Sequence, residues 1–185
     1  MYRLPNPRVY HGSPHLFNVT EGKMVAGEYG PGFYFTTDLE QAVKYARKHH
    51  HSGRLYLCDV EFKKPLYHHM VVPTESDMAD ADPDTFWKST NVKYGSELYM
   101  LLEETKYGGI KPEAAIRMLR KLGYDGIIVY LHKSKKPSDI AISLGLDPSN
   151  IDVFDVVKTP EEADRAYYIA FDLSQVTCAT EIVGV

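Results

Sequence analysis

The side chains best suited to chemistry in this chain are a histidine and two tyrosines set among glycines. His11 stands in R-V-Y-H-G-S, Arg8 to Ser13, just ahead of Pro14. A short strand there would deliver the imidazole to a strand-to-loop junction. So placed, it can orient a ligand or simply complete its own turn with a hydrogen bond, and these six residues leave both readings open. Tyr34 lies in G-F-Y-F, Gly32 to Phe35. Alternate strand side chains face opposite ways, so Phe33 and Phe35 can be buried while Tyr34 lines a cleft on the other face. Tyr45 follows eleven positions later. On a helix it would sit roughly 120° from the centre of the apolar stripe, near the edge that can face the same cleft. Other candidates are weaker. Asp59 and Glu61 alternate along a strand and could act as acid or base, but solvated strand carboxylates are the plainer reading. The runs His49-His50-His51 and His68-His69 lack metal-ligand spacing, as do Cys58 and Cys178. Asp77, Asp80, Asp82 and Asp84 resemble a calcium loop only superficially. With Asp80 as first ligand, Thr85 falls where the turn glycine belongs and Asn91 where a bidentate glutamate belongs. No metal site is expected.

The elements that must position these residues can be read from periodicity. Gly27, Gly30 and Gly32 around Pro31 give a turn before the aromatic strand. Thr37 and Glu40 have capping-box spacing, predicting a helix to His50 with Leu39, Ala42, Val43 and Ala46 as its stripe. Residues 15 to 30 read as a loop. Leu55 to Phe62 reads as a strand with Tyr56, Cys58, Val60 and Phe62 on its apolar face. Helices are predicted over Ser96 to Lys106, carrying Leu98, Leu101 and Leu102, and over Pro112 to Leu122, carrying Ala115, Met118, Leu119 and Leu122. The second has a proline start and a Gly123 stop, with Arg117, Arg120 and Lys121 as its wet face. Gly126 to Leu131 is a buried strand, Ile151 to Val157 another, Thr159 to Glu162 opens a short capped helix, and Tyr167 to Asp172 is the last clear strand. Helices cluster between strands without regular β-α-β alternation, which argues for an α+β domain.

At 185 residues, 44% hydrophobic and 12% aromatic, the chain is expected to form one domain with a real core. No apolar run approaches the roughly 20 residues of a membrane span, and the prolines near Met1 argue against a secretory signal. Two cysteines in this length suggest thiols in a reducing, intracellular setting, so a cytoplasmic location is expected. A net charge of −4 gives no general attraction to nucleic acid.

In combination and in order, these pieces resemble the ADP-ribosyltransferase fold, in its poly(ADP-ribose) polymerase-like and diphtheria-toxin-like branch. His11-Gly12-Ser13 resembles its H-G-[ST] motif and Gly32-Phe33-Tyr34-Phe35 its G-[IFL]-Y-F motif. Lys44-Tyr45-Ala46 is similar to the helix that carries a second tyrosine, and Tyr168 to Asp172 to the closing Y-I-V-[FY]-[DN] strand. Gly123 to Ile128, G-Y-D-G-I-I, is similar to ADP-ribosyltransferase domains of phage and bacterial polyvalent proteins. The resemblance implies one domain over residues 1–185, built on a mixed, mostly antiparallel split sheet with flanking helices, with about 70–110 as a variable, partly helical insertion. It implies NAD as substrate. The nicotinamide would stack between Tyr34 and Tyr45, its carboxamide on the Gly12 backbone, with Ser13 beside it and His11 on a ribose hydroxyl. Catalysis would fall to His11, Tyr34 and Tyr167, without a metal.

The pattern departs from the polymerases at the third catalytic position. Tyr167 stands where they have glutamate, and Ala42 replaces a serine that binds the carboxamide in several relatives. A phenol offers a hydrogen bond without the charge that would stabilise a cationic sugar. This resembles His-Tyr-Tyr members, which transfer single ADP-ribose units or have weak activity. The expectation is a mono-ADP-ribosyltransferase acting on a macromolecular acceptor, protein before nucleic acid, in the cytoplasm of its own cell or of a host. The alternatives are an NAD glycohydrolase and a catalytically weak module that binds NAD or ADP-ribose.

Overall fold

The computed structural model describes residues 8–13, 24–48, 53–71, 93–134 and 154–184. Strands β1 (Arg8–Ser13), β2 (Val25–Gly27) and β3 (Gly30–Thr36) precede helix α1 (Leu39–Arg47) and strands β4 (Arg54–Val60) and β5 (Pro65–Tyr67). Helices α2 (Lys93–Lys106) and α3 (Pro112–Lys121) lead to β6 (Gly126–Lys133), β7 (Phe154–Val157), β8 (Arg165–Ala170) and β9 (Val176–Gly184). The strands run in the order β5-β6-β8-β3-β1-β4-β9, with β2 added to β3 and β7 to β6. Among the described residues only the β5–β6 pairing is parallel, so the expected α+β class with a mixed, mostly antiparallel sheet describes the molecule.

The sheet is split at one seam. β1 is registered on β4 from Arg8↔Asp59 to Ser13↔Arg54, and β3 on β8 from Phe33↔Ala170 to Thr36↔Tyr167. Between β1 and β3 the register holds a single pair, Tyr10↔Thr36. The segment with the histidine and the segment with the tyrosine therefore belong to different halves of the sheet and part company just past that pair.

Each face of the sheet has its own core. Leu98, Leu101 and Leu102 of α2 and Ala115, Ile116 and Leu119 of α3 pack on Ile127, Val129 and Leu131 of β6 and Ile169 of β8. Val9, Phe33, Phe35, Tyr56, Cys58, Val60, Ile128, Tyr130 and Tyr168 form the second cluster. β6 and β8 give alternate residues to both, which is why G-I-I-V-Y-L reads as a continuous apolar run. α2 lies inside the stretch expected as an insertion, yet it supplies three residues of the first core. Among the described residues no helix is long and apolar enough to cross a membrane.

A corner of polar side chains closes the far end of β8. Asp125 accepts from the backbone amides of Lys63 (2.6 Å) and Lys64 (3.0 Å). Gln175 accepts from the amides of Phe171 (3.0 Å) and Asp172 (2.9 Å), and its amide nitrogen donates to the Asp125 carbonyl at 2.9 Å. Asp172 and Gln175 form a capping box on the single 3-10 turn Leu173–Gln175.

Several boundaries differ from the periodicity. The cap of α1 is Asp38, whose side chain accepts from the Gln41 amide at 3.1 Å, and not Thr37. Asp38 and Gln41 have the same spacing one residue on, and the Thr37 hydroxyl is taken by another strand, accepting from Ala166 N at 2.8 Å. Ala42 and Ala46 are the buried residues of α1, while Leu39 is 45% exposed. Met118 and Leu122 likewise face outward, and Ile116 takes their place in the stripe of α3. The turn Pro160–Glu162 is a 3-10 turn without a side-chain cap. β2, inside the stretch expected as loop, and β5 and β9 are strands that short or irregular patterns did not announce. His49 to His51 and the aspartates 77, 80, 82 and 84 lie outside the described residues.

Candidate active site

His11 lies within β1, not at its end, and spans the seam. Its Nδ1 is 2.8 Å from the carbonyl oxygen of Tyr34, and its ring is 5.4 Å from that of Phe35. A carbonyl can only accept, so Nδ1 carries the proton and donates. Burial lowers the pKa of the imidazole below its ordinary range, against the opposing effect of that bond. The neutral ring therefore carries its lone pair on Nε2. Gly12 follows, and here glycine is required. A Cβ at this position would stand 1.9 Å from the Ala42 carbonyl oxygen, so the backbone of α1 rests directly on β1. Ser13, half-buried, ends the strand opposite Arg54.

Tyr34 emerges from β3 opposite the buried Phe33 and Phe35, as the alternation requires. Its hydroxyl donates to the Gly30 carbonyl at 2.6 Å and accepts from Tyr29 N at 3.1 Å, so the β2–β3 turn holds the ring. Gly27 leaves it room, since a Cβ there would meet the phenol at 2.3 Å. The ring centre of Tyr167 is 6.2 Å away in an edge-on arrangement. Tyr29 lies 5.4 Å from Tyr167 on one side and 5.4 Å from His68 on the other. Burial raises all three phenols, and Tyr167 feels Arg165 pulling the other way. None ionises near neutral pH. His68 is buried, its Nδ1 has no hydrogen-bond partner among the described residues, and burial holds its pKa down to about 4.

At the start of β8, Arg165 reaches across to the start of α1. Its Nη2 is 2.8 Å from Asp38 Oδ2, with both side chains largely shielded from water. Its guanidinium carbon sits 3.9 Å over the centre of the Phe154 ring. Two hydrogen bonds between Thr37 and Ala166 flank the pair: Thr37 N donates to the Ala166 carbonyl at 3.0 Å, and Ala166 N to the Thr37 hydroxyl at 2.8 Å.

The structure thus sets the Tyr34 and Tyr167 rings together and joins His11 to the Tyr34 main chain at the seam. Tyr45 is placed differently. It lies on the last turn of α1, 48% exposed, with the Lys48 ammonium 5.8 Å over its ring. Periodicity missed Tyr29, Asp38, His68 and Arg165. Arg165 could have been found from its position two residues before Tyr167, which puts both on one face of a strand. Nothing local marks Tyr29 or His68, because their meeting depends on how β2 and β5 return to the sheet. Among the described residues no three or more His, Cys, Asp or Glu side chains are grouped to hold a metal ion.

No curated protein and no solved structure gives a significant match to the chain. A family model does: residues 6–185 match the family described as ADP-ribosyltransferase in polyvalent proteins. The match spans both halves of the split sheet and every residue discussed above, and the chain belongs to that ADP-ribosyltransferase family.

Proposed function

We propose that the chain cleaves NAD at the bond between nicotinamide and ribose and transfers a single ADP-ribose unit to a macromolecular acceptor, protein before nucleic acid. The observation that supports this most is the seam where β1 and β3 share a single registered pair: His11 bonds there to the Tyr34 main chain, and the Tyr167 ring stands against that of Tyr34. A neutral imidazole and rigidly held phenols suit a flat cationic ring attached to a sugar.

In this reading the nicotinamide lies between Tyr34 and Tyr45, and its carboxamide meets the Gly12 main chain, with Ser13 beside it. His11 Nε2 accepts from a ribose hydroxyl. When the C1′–N bond breaks, its electron pair leaves with nicotinamide, which departs neutral, and the sugar becomes cationic at C1′. The acceptor's nucleophile forms the new bond there and releases its proton. The residues act by orientation, which can supply several kcal/mol of the barrier lowering, rather than by proton transfer. Tyr167 contributes a hydrogen bond and no charge, so the transition state receives less support than a carboxylate would give, and elongation of a chain is not expected. No metal takes part in this scheme.

Incubation with NAD labelled in its adenylate part, in the presence of a cell lysate, tests the reading. Label on macromolecules, with a single unit per site after digestion, supports transfer. Label recovered only as free ADP-ribose would replace it with hydrolysis, and neither product would leave a binding module. His11→Ala should remove most of either activity while the protein still folds, because a lost hydrogen bond to a buried ligand costs about 1–3 kcal/mol.

A further inference from the structure

The hairpin that carries Tyr29 is pinned by the side chain of Tyr34. β2 and β3 are registered from Val25↔Gly32 to Gly27↔Gly30, which leaves Glu28 and Tyr29 as the turn between them. The Tyr34 hydroxyl meets this hairpin at several points. It donates its proton to the Gly30 carbonyl at 2.6 Å and accepts from Tyr29 N at 3.1 Å, and a Cβ at Gly27 would collide with it. That proton is spent within the protein, so Tyr34 offers a ligand its ring and not a donor. The hairpin also rests on the first core. Gly30 has a φ of +128°, and a Cβ there would lie 2.7 Å from Ile127 Cδ1 and 2.9 Å from Leu102 Cδ2.

With its main chain held, the Tyr29 side chain has a defined place. Its ring centre is 5.4 Å from that of Tyr167, with the planes 32° apart, and 5.4 Å from that of His68 at 88°. His68 is buried in the turn His68–Met70 that follows β5, so the ring behind Tyr29 is itself fixed. Tyr167 also meets Tyr34, edge-on at 6.2 Å. The last torsion of a tyrosine has only a broad preference of its own, so the plane of the phenol, and with it the line of its C–O bond, is set by the rings it touches.

We infer that Tyr29 is a positioning residue for the reaction proposed above: backed by His68, its ring fixes the plane of Tyr167, and the Tyr34 hydroxyl fixes Tyr29 in turn. Tyr34 then has two separable roles, a ring for the nicotinamide and a hydroxyl for the turn. The Tyr34 hydroxyl reaches the third position through Tyr29, which makes the two residues interdependent.

The inference rests on the transferase reading, and one set of proteins separates the two. Nicotinamide release, NAD affinity and thermal midpoint are measured for wild type, Tyr29→Phe, Tyr29→Leu, Tyr34→Phe and the Tyr29→Leu/Tyr34→Phe double variant. Leucine keeps an apolar group in the core and removes the flat ring. Its turnover number should fall about tenfold with KM for NAD within about threefold, since a ring contact that orients the reacting group is lost while ground-state binding is not. Phenylalanine keeps the ring and should restore turnover. Tyr34→Phe should lower turnover about threefold when residue 29 is Tyr and add nothing when it is Leu, because the lost hydrogen bonds act through a ring already gone. If Tyr29→Leu fails to fold, Tyr29→Met replaces it in both comparisons, since methionine adapts to irregular core space without supplying a plane. Equal turnover for Phe and the ringless variant, or the same cost of Tyr34→Phe in both backgrounds, would show that Tyr29 only fills the core, and the inference would be wrong. Wild-type protein that neither binds nor cleaves NAD overturns the transferase reading, and this inference with it.

Discussion

The two ends of β8 use polar side chains in opposite ways. At its C-terminal end Asp125, Asp172 and Gln175 turn their oxygens to backbone amides, at 2.6 to 3.0 Å, and so close the loops around β5, β6 and β9. At its N-terminal end Arg165 pairs with Asp38, and His11 crosses the seam to one carbonyl of β3. The first arrangement satisfies the main chain and holds the sheet together. The second orients side chains: His11 is held by a carbonyl and Arg165 by a carboxylate. The difference teaches where to expect function: polar groups that complete the backbone report on folding, and polar groups that orient each other report on a ligand.

The largest effect should come where the two roles coincide. Gly12→Ala would place a methyl group 1.9 Å from the Ala42 carbonyl oxygen and push α1 off β1. Destabilisation of about 3 kcal/mol is expected, the upper range for overpacking, measured by chemical denaturation, together with loss of NAD binding by the folded fraction. Full stability with unchanged binding would mean that α1 does not rest on β1 as described.

A pH titration sharpens the contrast at His68, a buried imidazole that belongs to neither arrangement. Its folded pKa lies at about 4, below the ordinary 6.5, so the unfolded chain takes up the proton first. Stability from this group is complete above pH 6.5 and is lost as pH falls toward 4. The loss amounts to about 3 kcal/mol across that window. Carboxylates titrate there too, so the check is a difference: His68→Phe should show a flatter profile between pH 6.5 and 4 than wild type.

Asp125→Ala should cost about 1–2 kcal/mol, since two backbone amides lose their partner in a half-exposed corner, and should leave NAD affinity per folded molecule unchanged. A drop in affinity would show that the two ends of β8 are coupled, and the contrast between them would fail.

How far the sequence revealed this arrangement depends on how local each signal is. The strand around Tyr34 was legible because F-Y-F must alternate, and the α3 stop because Gly123 adopts a φ of +89°, where other residues are strained. The end of α1 was shifted because two capping spacings overlap in T-T-D-L-E-Q, and only the pairing of Thr37 with Ala166 decides between them. Motif resemblance brought out His11, Tyr34, Tyr45 and Tyr167, but no motif marks Arg165 or Asp38. They are distant in sequence, and their ion pair exists only once β3 and β8 are aligned through Thr36↔Tyr167. The split in the sheet was likewise invisible to periodicity, since β1 and β3 each read as an ordinary strand.

The most direct test of the account uses Tyr45, the member of the proposed sandwich that the fold needs least, because it is 48% exposed. Calorimetric titration of Tyr45→Ala with nicotinamide, NAD and ADP-ribose separates the ring from the rest of the ligand. One stacked aromatic contact is worth about 1–1.5 kcal/mol, so affinity for nicotinamide and for NAD should fall about tenfold while that for ADP-ribose and the melting temperature stay put. Equal losses for nicotinamide and ADP-ribose, or no loss for either, would contradict a nicotinamide site between Tyr34 and Tyr45.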